Sequence, residues 1–167
     1  MTSIIFIHGL ESSGKGFKAR FFQNKIPEIL TPSFFQFDSN IPIQEILQKR
    51  MDELRSFLDQ IEKWIIIGSS FGGLMGALYT LKNSNKIIKL ILLAPFLNTP
   101  FLEPSNFEPI NVPVIVYHGK NDQIFPFKQS YEIAKNLFVN LKYNLVDDDH
   151  FLHATVKSIN WKKLIEF

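Results

Sequence analysis

Three residue types that together carry out nucleophilic acyl transfer occur in this chain in a fixed order. Ser70 lies in the pentapeptide Gly68-Ser69-Ser70-Phe71-Gly72, which fits the pattern G-x-S-x-G, and Asp122 and His150 follow it along the chain. A serine hydroxyl is a weak nucleophile until a base accepts its proton, and that base needs a carboxylate to orient it. The order serine, aspartate, histidine therefore predicts a catalytic triad with Ser70 as the nucleophile.

The context of the serine motif supports this prediction. The motif directly follows the apolar, strand-like run Trp64–Ile67 and directly precedes the helical pattern Leu74–Leu81. A strand-to-helix turn this tight strains its central residue and lifts that side chain above the sheet. The residues two before and two after the serine must be small, because the backbone doubles back there. Gly68 and Gly72 occupy these two positions.

The acid and the base are expected on loops at the carboxyl ends of later strands, where open parallel sheets build their sites. Asp122 is the only carboxylate on the loop after the apolar run Val114–Tyr117. His150 lies in the loop before the last helix, and His153, one helical turn further, is the alternative base. The aspartates Asp147–Asp149 are predicted to cap the last helix and to interact with its dipole.

The elements that must position these residues alternate along the chain. The predicted strands are Ser3–Ile7, Trp64–Ile67, Leu90–Leu93, Val114–Tyr117 and Tyr143–Val146, with a further one near Ile29-Leu30 and Phe34–Phe37. The first predicted helix carries the apolar stripe Leu47, Met51, Leu54, Leu58 and Ile61. The other predicted helices are Leu74–Leu81, Tyr131–Phe138 and Val156–Ile165. Buried strands that alternate with helices predict an α/β fold with a largely parallel sheet, in one domain over residues 1–167.

The composition excludes several other classes of protein. The 167 residues are 46% apolar, include no cysteine and carry a formal net charge of +2. Disulfide scaffolds, thiolate nucleophiles and cysteine-based metal sites are therefore excluded. The sequence also contains no run of basic residues, so no nucleic-acid partner is expected. The sequence contains no cluster of Cys, His and carboxylate residues at ligand spacing, so neither a metal nor a cofactor is expected. No apolar stretch approaches the roughly 18 residues of a membrane span, so we expect a soluble, cytoplasmic protein.

One segment, Phe96–Pro113, departs from the alternation because it contains four prolines, at positions 100, 104, 109 and 113. Proline at this density blocks a regular helix or a central strand, so the segment is predicted to be an ordered surface excursion. Its apolar side chains are expected to form a shallow lining for the substrate. The residues predicted for that lining are Phe96, Leu97, Phe101 and Leu102.

Taken together, these motifs resemble those of the α/β-hydrolase superfamily, and the resemblance runs from Ser3 to Phe167. Besides the serine motif it rests on His8-Gly9-Leu10 after the first strand, on Gly119–Pro126 and on Asp147–Leu152. It implies helices on both faces of the sheet, and an oxyanion hole formed by the backbone N–H groups of Leu10 and Phe71. The chain is most similar to small esterases and thioesterases with little or no lid, such as the YqiA-like group.

The resemblance implies a serine esterase that forms an acyl-enzyme on Ser70 and cleaves a carboxylic ester. The expected partner is a small-molecule ester or a carrier-bound acyl group. An acyl thioesterase, or an esterase for methyl esters on an acyl carrier, is the alternative within the same fold. A catalytically silent member that only binds a ligand is an alternative of another class, and the oligomeric state stays open.

A competing motif lies directly after the first strand. Gly9–Gly16 nearly matches G-x-x-x-x-G-K-[ST], the loop in which backbone amides and a lysine cradle phosphates. The match fails at its last position, because Gly16 has no hydroxyl for Mg²⁺. A nucleotide-binding loop with Lys15 at its centre is therefore the alternative that the sequence leaves beside the serine hydrolase.

Overall fold

Five parallel strands form one sheet whose spatial order follows the chain, β1-β2-β3-β4-β5. The computed structural model describes residues 2–60 and 63–166. The strands are β1 (Ser3–Ile7), β2 (Trp64–Ser69), β3 (Ile87–Leu93), β4 (Val114–Gly119) and β5 (Leu141–Val146). The α/β fold with a parallel sheet, predicted from the alternation of elements, is confirmed.

Six α-helices accompany the sheet in the described part of the chain. They are α1 (Phe17–Lys25), α2 (Ile43–Leu58), α3 (Phe71–Lys82), α4 (Phe127–Leu137), α5 (His153–Ser158) and α6 (Trp161–Ile165). Short 3-10 turns lie at Ser84–Lys86, Pro100–Leu102 and Pro104–Asn106. No helix within residues 2–60 and 63–166 is long and apolar enough to cross a membrane.

Some predicted elements differ from the structure. The single helix predicted over Val156–Ile165 is wrong, since α5 and α6 are separate and the Asn160 side chain caps α6 by accepting a hydrogen bond from the Lys163 N–H. Helix α1 was not predicted, because its apolar residues all lie in its first six positions and form no stripe along the helix. Ile61, predicted as the last residue of the α2 stripe, lies outside the described residues.

The further strand predicted near Ile29-Leu30 and Phe34–Phe37 is also not formed. Leu30 makes only an isolated parallel bridge with Ile5 of β1. This bridge still matters for the topology, because it lies on the opposite side of β1 from β2. From β1, helix α1 leads the chain to Leu30 on one side of the strand, and helix α2 then leads it back to β2 on the other side. Such a reversal opens a crevice at the carboxyl end of the strand, where α/β proteins bind ligands.

The strand register divides the core into two layers. One face of the sheet, with residues such as Ile5, Ile66, Leu90 and Val114 in register, packs against α2, α3 and α4. The opposite face packs against α1, α5 and α6, and its strand residues include Phe6, Ile67 and Ile91. Both faces are covered, which explains why the strands are apolar without alternation.

Helix α2 buries the predicted stripe Leu47, Met51, Leu54 and Leu58 against the sheet. Arg50 lies within the same stripe and is fully buried. A buried arginine is stable only when its N–H groups find acceptors. Two of its three acceptors, the carbonyls of Gly9 and Leu10, lie in the loop after β1, so a residue on the core face of a helix reaches the carboxyl end of the sheet.

The segment over residues 96–113 packs into the fold at the side of α4. Ile110 forms a bridge with Phe138, directly after α4, and the Asn98 amide donates a hydrogen bond to Gln129 of α4. Leu97 and Leu102 are fully buried in the core. The segment is an irregular, ordered excursion, as its prolines predict, and it forms no helical lid.

Candidate active site

Ser70 occupies the sharp turn between β2 and α3. Its backbone has φ 56° and ψ −117°, a conformation that residues other than glycine rarely adopt. Neighbouring backbone groups hold this strained conformation: the Ser70 N–H donates to the Leu93 carbonyl, and the Ser70 carbonyl accepts from the N–H groups of Gly73 and Phe96. Strain retained in this way is typical of functional positions.

The glycines around Ser70 allow the backbone to double back. A Cβ atom on Gly68 would lie 2.5 Å from the Gly72 carbonyl oxygen. A Cβ on Gly72 would overlap the Ile7 carbonyl oxygen and lie 2.6 Å from that of His8. Both positions therefore exclude any side chain, and Gly72 brings the start of α3 into contact with the end of β1.

The structure brings the predicted triad residues together. His150 Nε2 lies 3.1 Å from Ser70 Oγ, and His150 Nδ1 lies 2.8 Å from Asp122 Oδ2. Since a carboxylate oxygen only accepts, Nδ1 carries the proton and donates it to Asp122. In the neutral imidazole, Nε2 is then free to accept a hydrogen bond from the Ser70 hydroxyl.

Asp122 is held from several sides. Its side chain is fully buried, and Oδ1 accepts from the N–H groups of Ile124 and Phe125 at 2.9 and 2.8 Å. His118 Nε2 lies 3.2 Å from Oδ2 and donates at 2.8 Å to the Phe125 carbonyl, while its Nδ1 accepts from the Tyr143 hydroxyl. Burial lowers the pKa of His118, so this imidazole is neutral beside Asp122. No pattern in the sequence predicted the contact between His118 and Asp122.

The loop after β1 is fixed by two buried side chains. His8 Nε2 accepts from the Phe34 N–H, so its Nδ1 carries the proton and donates to the Gly9 carbonyl at 2.7 Å. Arg50 donates to the carbonyls of Gly9 and Leu10 at 3.2 and 2.7 Å. Burial lowers the pKa of His8, although its hydrogen bond to Gly9 opposes the shift. With both carbonyls turned toward Arg50, the geometry of the loop is fixed.

Arg50 also contacts the start of α3. Its guanidinium carbon lies 5.5 Å from the centre of the Phe71 ring, and its Nε donates to the Phe35 carbonyl. Burial lowers the pKa of Arg50 to about 10, which leaves it charged at neutral pH. Sequence reasoning missed this residue, because an arginine inside an apolar stripe is usually a side chain that reaches solvent.

Two backbone donors flank Ser70. Among the hydrogen bonds made by residues 2–60 and 63–166, neither the Leu10 N–H nor the Phe71 N–H has an acceptor. Phe71 is the first residue of α3, where the partial positive charge of the helix dipole is located. A pair of unpartnered N–H groups beside a nucleophile is suited to stabilising a developing oxyanion.

A cavity of about 380 Å³ lies above Ser70 and His150. Its remaining lining residues come from β1 and the loop after it, the end of β2, the start of α1, the loops after β4 and β5 and the start of α5: Phe6, Gly9, Leu10, Glu11, Ser12, Phe17, Lys18, Ser69, Ile124, Phe125, Phe151 and His153. This volume is within the usual range of small-molecule sites. The contribution of α1 could not be predicted, because α1 itself was missed.

The lining predicted from the segment after β3 is corrected by these positions. Leu97 and Leu102 lie in the core with no exposed surface, and neither lines the cavity. Phe101 is partly buried against the same core. Phe96 lines a separate cavity of about 210 Å³, and its ring stacks at 4.5 Å on Phe125. Apolar side chains in this segment stabilise the core, and Phe96 reaches the site only through Phe125.

The alternative residues lie apart from Ser70. His153 is an exposed residue at the start of α5 that contacts the Phe17 ring, whereas His150 contacts both Ser70 and Asp122. Lys15 is exposed, so its side chain is not enclosed by the loop in the way that a phosphate-binding loop would require. Asp148 accepts from the Thr155 N–H and hydroxyl in the first turn of α5, although the N-cap residue of that helix is Leu152. Within residues 2–60 and 63–166, no three His, Asp or Glu side chains are grouped closely enough to hold a metal ion.

The parallel sheet and the strained serine turn that joins β2 to α3 define an α/β hydrolase. Residues 36–164 match the phospholipase/carboxylesterase family. The chain belongs to this family, and it is a hydrolase of the α/β-hydrolase superfamily. No curated protein sequence matches the chain.

Solved structures share this fold over nearly the whole chain. Mouse alpha/beta hydrolase domain-containing protein 10 has 21% identity and a TM-score of 0.75, covering 97% of this chain and 90% of its own. A Xanthomonas campestris protein described as a hydrolase of the alpha/beta superfamily has 21% identity and a TM-score of 0.77, with 94% and 91% covered. A Pyrococcus furiosus esterase has 16% identity and a TM-score of 0.70, with 98% and 80% covered. At these identities the similarity establishes the fold.

The close approach of α3 to β1 makes a stability prediction. Gly72→Ala places a methyl group against two backbone carbonyls that cannot move away, so we expect a loss of about 3 kcal/mol or more in the free energy of unfolding. Thermal denaturation should show a midpoint lower by roughly 6–12 °C. Gly9→Ala is the matched control, because its Cβ would lie 3.5 Å from its nearest neighbour, the Ser70 Cβ. Equal midpoints for the two variants would contradict the packing described here.

Proposed function

We propose that this hydrolase is a serine esterase that cleaves carboxylic esters through an acyl-enzyme on Ser70. The observation that carries the proposal is the continuous hydrogen-bonded chain from Ser70 Oγ through His150 to Asp122. The strained backbone of Ser70 and its position on the wall of the cavity support it, since a purely structural serine needs neither. The Pyrococcus furiosus neighbour described as an esterase is consistent with this activity.

In the acylation step, the Ser70 hydroxyl gives its proton to His150 Nε2 as Oγ bonds to the ester carbonyl carbon. The His150 Nδ1–H stays on Asp122, whose carboxylate stabilises the imidazolium. The carbonyl oxygen becomes an oxyanion and accepts hydrogen bonds from the N–H groups of Leu10 and Phe71. The C–O bond to the alcohol then breaks, and His150 Nε2–H protonates the leaving oxygen.

Deacylation repeats these steps with water as the nucleophile. His150 Nε2 accepts a proton from the water as its oxygen bonds to the acyl carbon. The same two N–H groups stabilise the second oxyanion, and Ser70 recovers its proton when the carboxylic acid leaves. The buried position of Asp122 keeps its carboxylate aligned through both half-reactions.

We place the enzyme among the small esterases without a helical lid. No residue of the segment 96–113 lines the cavity, and the apolar rim is formed instead by Phe17, Ile124 and Phe151. These three side chains are each 42% or more exposed. A cavity of about 380 Å³ with such a rim suits a small ester whose remaining atoms extend into solvent.

The nucleophile is tested by Ser70→Ala. Removing the hydroxyl removes the acyl acceptor, so turnover of 4-nitrophenyl esters should fall to the background rate, and a fluorophosphonate probe should no longer label the protein. Intact-mass spectrometry of the wild type should show one phosphonyl group per chain. Ser56→Ala is the control, because Ser56 is an exposed serine on α2 far from the cavity. Ester turnover that survives in a folded Ser70→Ala protein would exclude the proposed function.

The base and its orienting acid are tested by three substitutions. Loss of either group leaves Ser70 without an aligned proton acceptor, so His150→Ala and Asp122→Asn should each lower kcat by roughly 10³- to 10⁴-fold. His153→Ala should lower kcat far less, since His153 has no contact with Ser70. Steady-state kinetics with a 4-nitrophenyl ester measures all three. A larger loss from His153→Ala than from His150→Ala would reverse the assignment.

The role of Arg50 as a positioning residue is tested by Arg50→Lys. A lysine keeps the charge but cannot donate to Gly9, Leu10 and Phe35 together, so the Leu10 N–H should lose its alignment. We expect kcat to fall about 10- to 100-fold with little change in KM, because the lost interaction acts on the oxyanion.

The control is Arg55→Lys, on the same helix, where Arg55 pairs with Asp52 at the surface. Kinetics are measured well below the thermal midpoint of each variant, so that any loss of stability does not mimic a loss of activity. Phosphonylation should slow in parallel with kcat, since the phosphonyl oxygen uses the same two N–H groups. An unchanged kcat in a folded Arg50→Lys protein would contradict the positioning role.

A further inference from the structure

The cavity at Ser70 contains a cationic side chain that the proposed chemistry does not use. Lys18, the second residue of α1, lines the same cavity as Ser70 and His150. Among the lysines and arginines of residues 2–60 and 63–166, it is the one that lines this cavity. Its side chain is partly buried rather than extended into solvent.

Lys18 has no counter-ion in contact. Within the described residues, no carboxylate oxygen lies within 4.0 Å of its ammonium nitrogen. Burial lowers the pKa of Lys18 to about 8, while the more distant charges of Asp149 and Asp148 oppose the shift. The ammonium group is therefore charged at neutral pH, and its partial desolvation is not offset by a direct partner in the protein.

The nearest acidic side chains are engaged elsewhere. Asp148 Oδ2 accepts from the Thr155 N–H and hydroxyl, and Asp149 Oδ1 accepts from the N–H groups of Phe151 and Leu152. These bonds form the turn that carries His150, so the two aspartates cannot turn toward Lys18 without disrupting that turn. Within the described residues, the Lys18 side chain lines the cavity and its ammonium group donates no hydrogen bond to a protein acceptor.

We propose that the substrate of this enzyme is an ester that carries a carboxylate, which pairs with Lys18 while the ester carbonyl lies at Ser70; this inference rests on the esterase function proposed above. A monoanion fits better than a phosphate dianion. Lys18 is a single cation, and Glu11 adds a negative charge to the same cavity. The aromatic wall of Phe6, Phe17 and Phe125 favours an apolar spacer between the two groups.

The test uses two pairs of esters, one for each half of the substrate, in which the charged member carries a carboxylate that its neutral partner lacks. For the acyl half, 4-nitrophenyl hydrogen glutarate is compared with 4-nitrophenyl pentanoate. For the alcohol half, 3-butanoyloxy-4-nitrobenzoate is compared with 2-nitrophenyl butanoate. The quantity measured is the ratio of kcat/KM for the charged ester to kcat/KM for its neutral partner, in which effects common to both esters cancel.

In at least one pair, Lys18→Met should lower this ratio roughly tenfold, the usual effect of losing a charge-assisted hydrogen bond. The pair that responds identifies which half of the substrate carries the carboxylate. Lys15→Met, which removes an exposed lysine outside the cavity, should leave both ratios as in the wild type. Unchanged ratios in Lys18→Met for both pairs would overturn the inference.

The dependence of the ratio on pH provides a second test, in which the wild type is compared with Lys18→Met. As pH rises through about 8, Lys18 loses its proton, so the wild-type ratio for the responding pair should fall. The substrate carboxylate stays ionised throughout this range. The other charged or titratable groups around the cavity are Glu11, Asp148, Asp149, His150 and His153. All five are retained in Lys18→Met, so the fall due to Lys18 is the part that the wild type shows and Lys18→Met does not. A wild-type ratio that stays constant across this range in both pairs would also overturn the inference.

The two proposals fail in different ways. If neutral esters are hydrolysed through Ser70 and Lys18→Met leaves both ratios unchanged, the proposed substrate carboxylate is excluded while the esterase function stands. Turnover of neutral esters that survives Ser70→Ala would exclude the esterase mechanism itself.

Discussion

The left-handed backbone of Ser70 is the constraint on which the rest of the site depends. It holds the hydroxyl above the end of β2, and it is stable only because Gly68 and Gly72 lack side chains and because Leu93 and Phe96 hold its peptide groups. The same turn starts α3 at Phe71, whose N–H is one of the two proposed oxyanion donors. A single local distortion therefore sets the position of the hydroxyl and of this proposed donor together.

The second donor depends on a contact between distant parts of the chain. The loop after β1 contains Gly9 and Leu10, and neither residue can fix the loop by itself. Arg50 donates to both carbonyls from the core face of α2, and His8, directly after β1, donates to the Gly9 carbonyl. A buried charge with several backbone acceptors is costly to break, so it serves well as a rigid support.

The loops that carry Asp122 and His150 are aligned by backbone contacts. Gly119, at the end of β4, allows this approach, since a Cβ there would lie 2.6 Å from the Asp149 carbonyl oxygen. The Asn121 N–H also donates to the Asp148 carbonyl. The two loops thus pack as one unit, which explains how residues 28 positions apart reach a separation of 2.8 Å.

The sequence by itself determined the positions of the five strands along the chain, the serine turn and the candidates Ser70, Asp122 and His150. These follow from local patterns: apolar runs, small residues at fixed spacing, and a carboxylate or imidazole on the loop after a strand. Only the tertiary structure decided that Arg50 and His118 support the site, that Lys18 lines the cavity, and that Leu97 and Leu102 lie in the core. Those facts depend on which distant side chains meet, and the same residue types in the same local pattern are compatible with several partners.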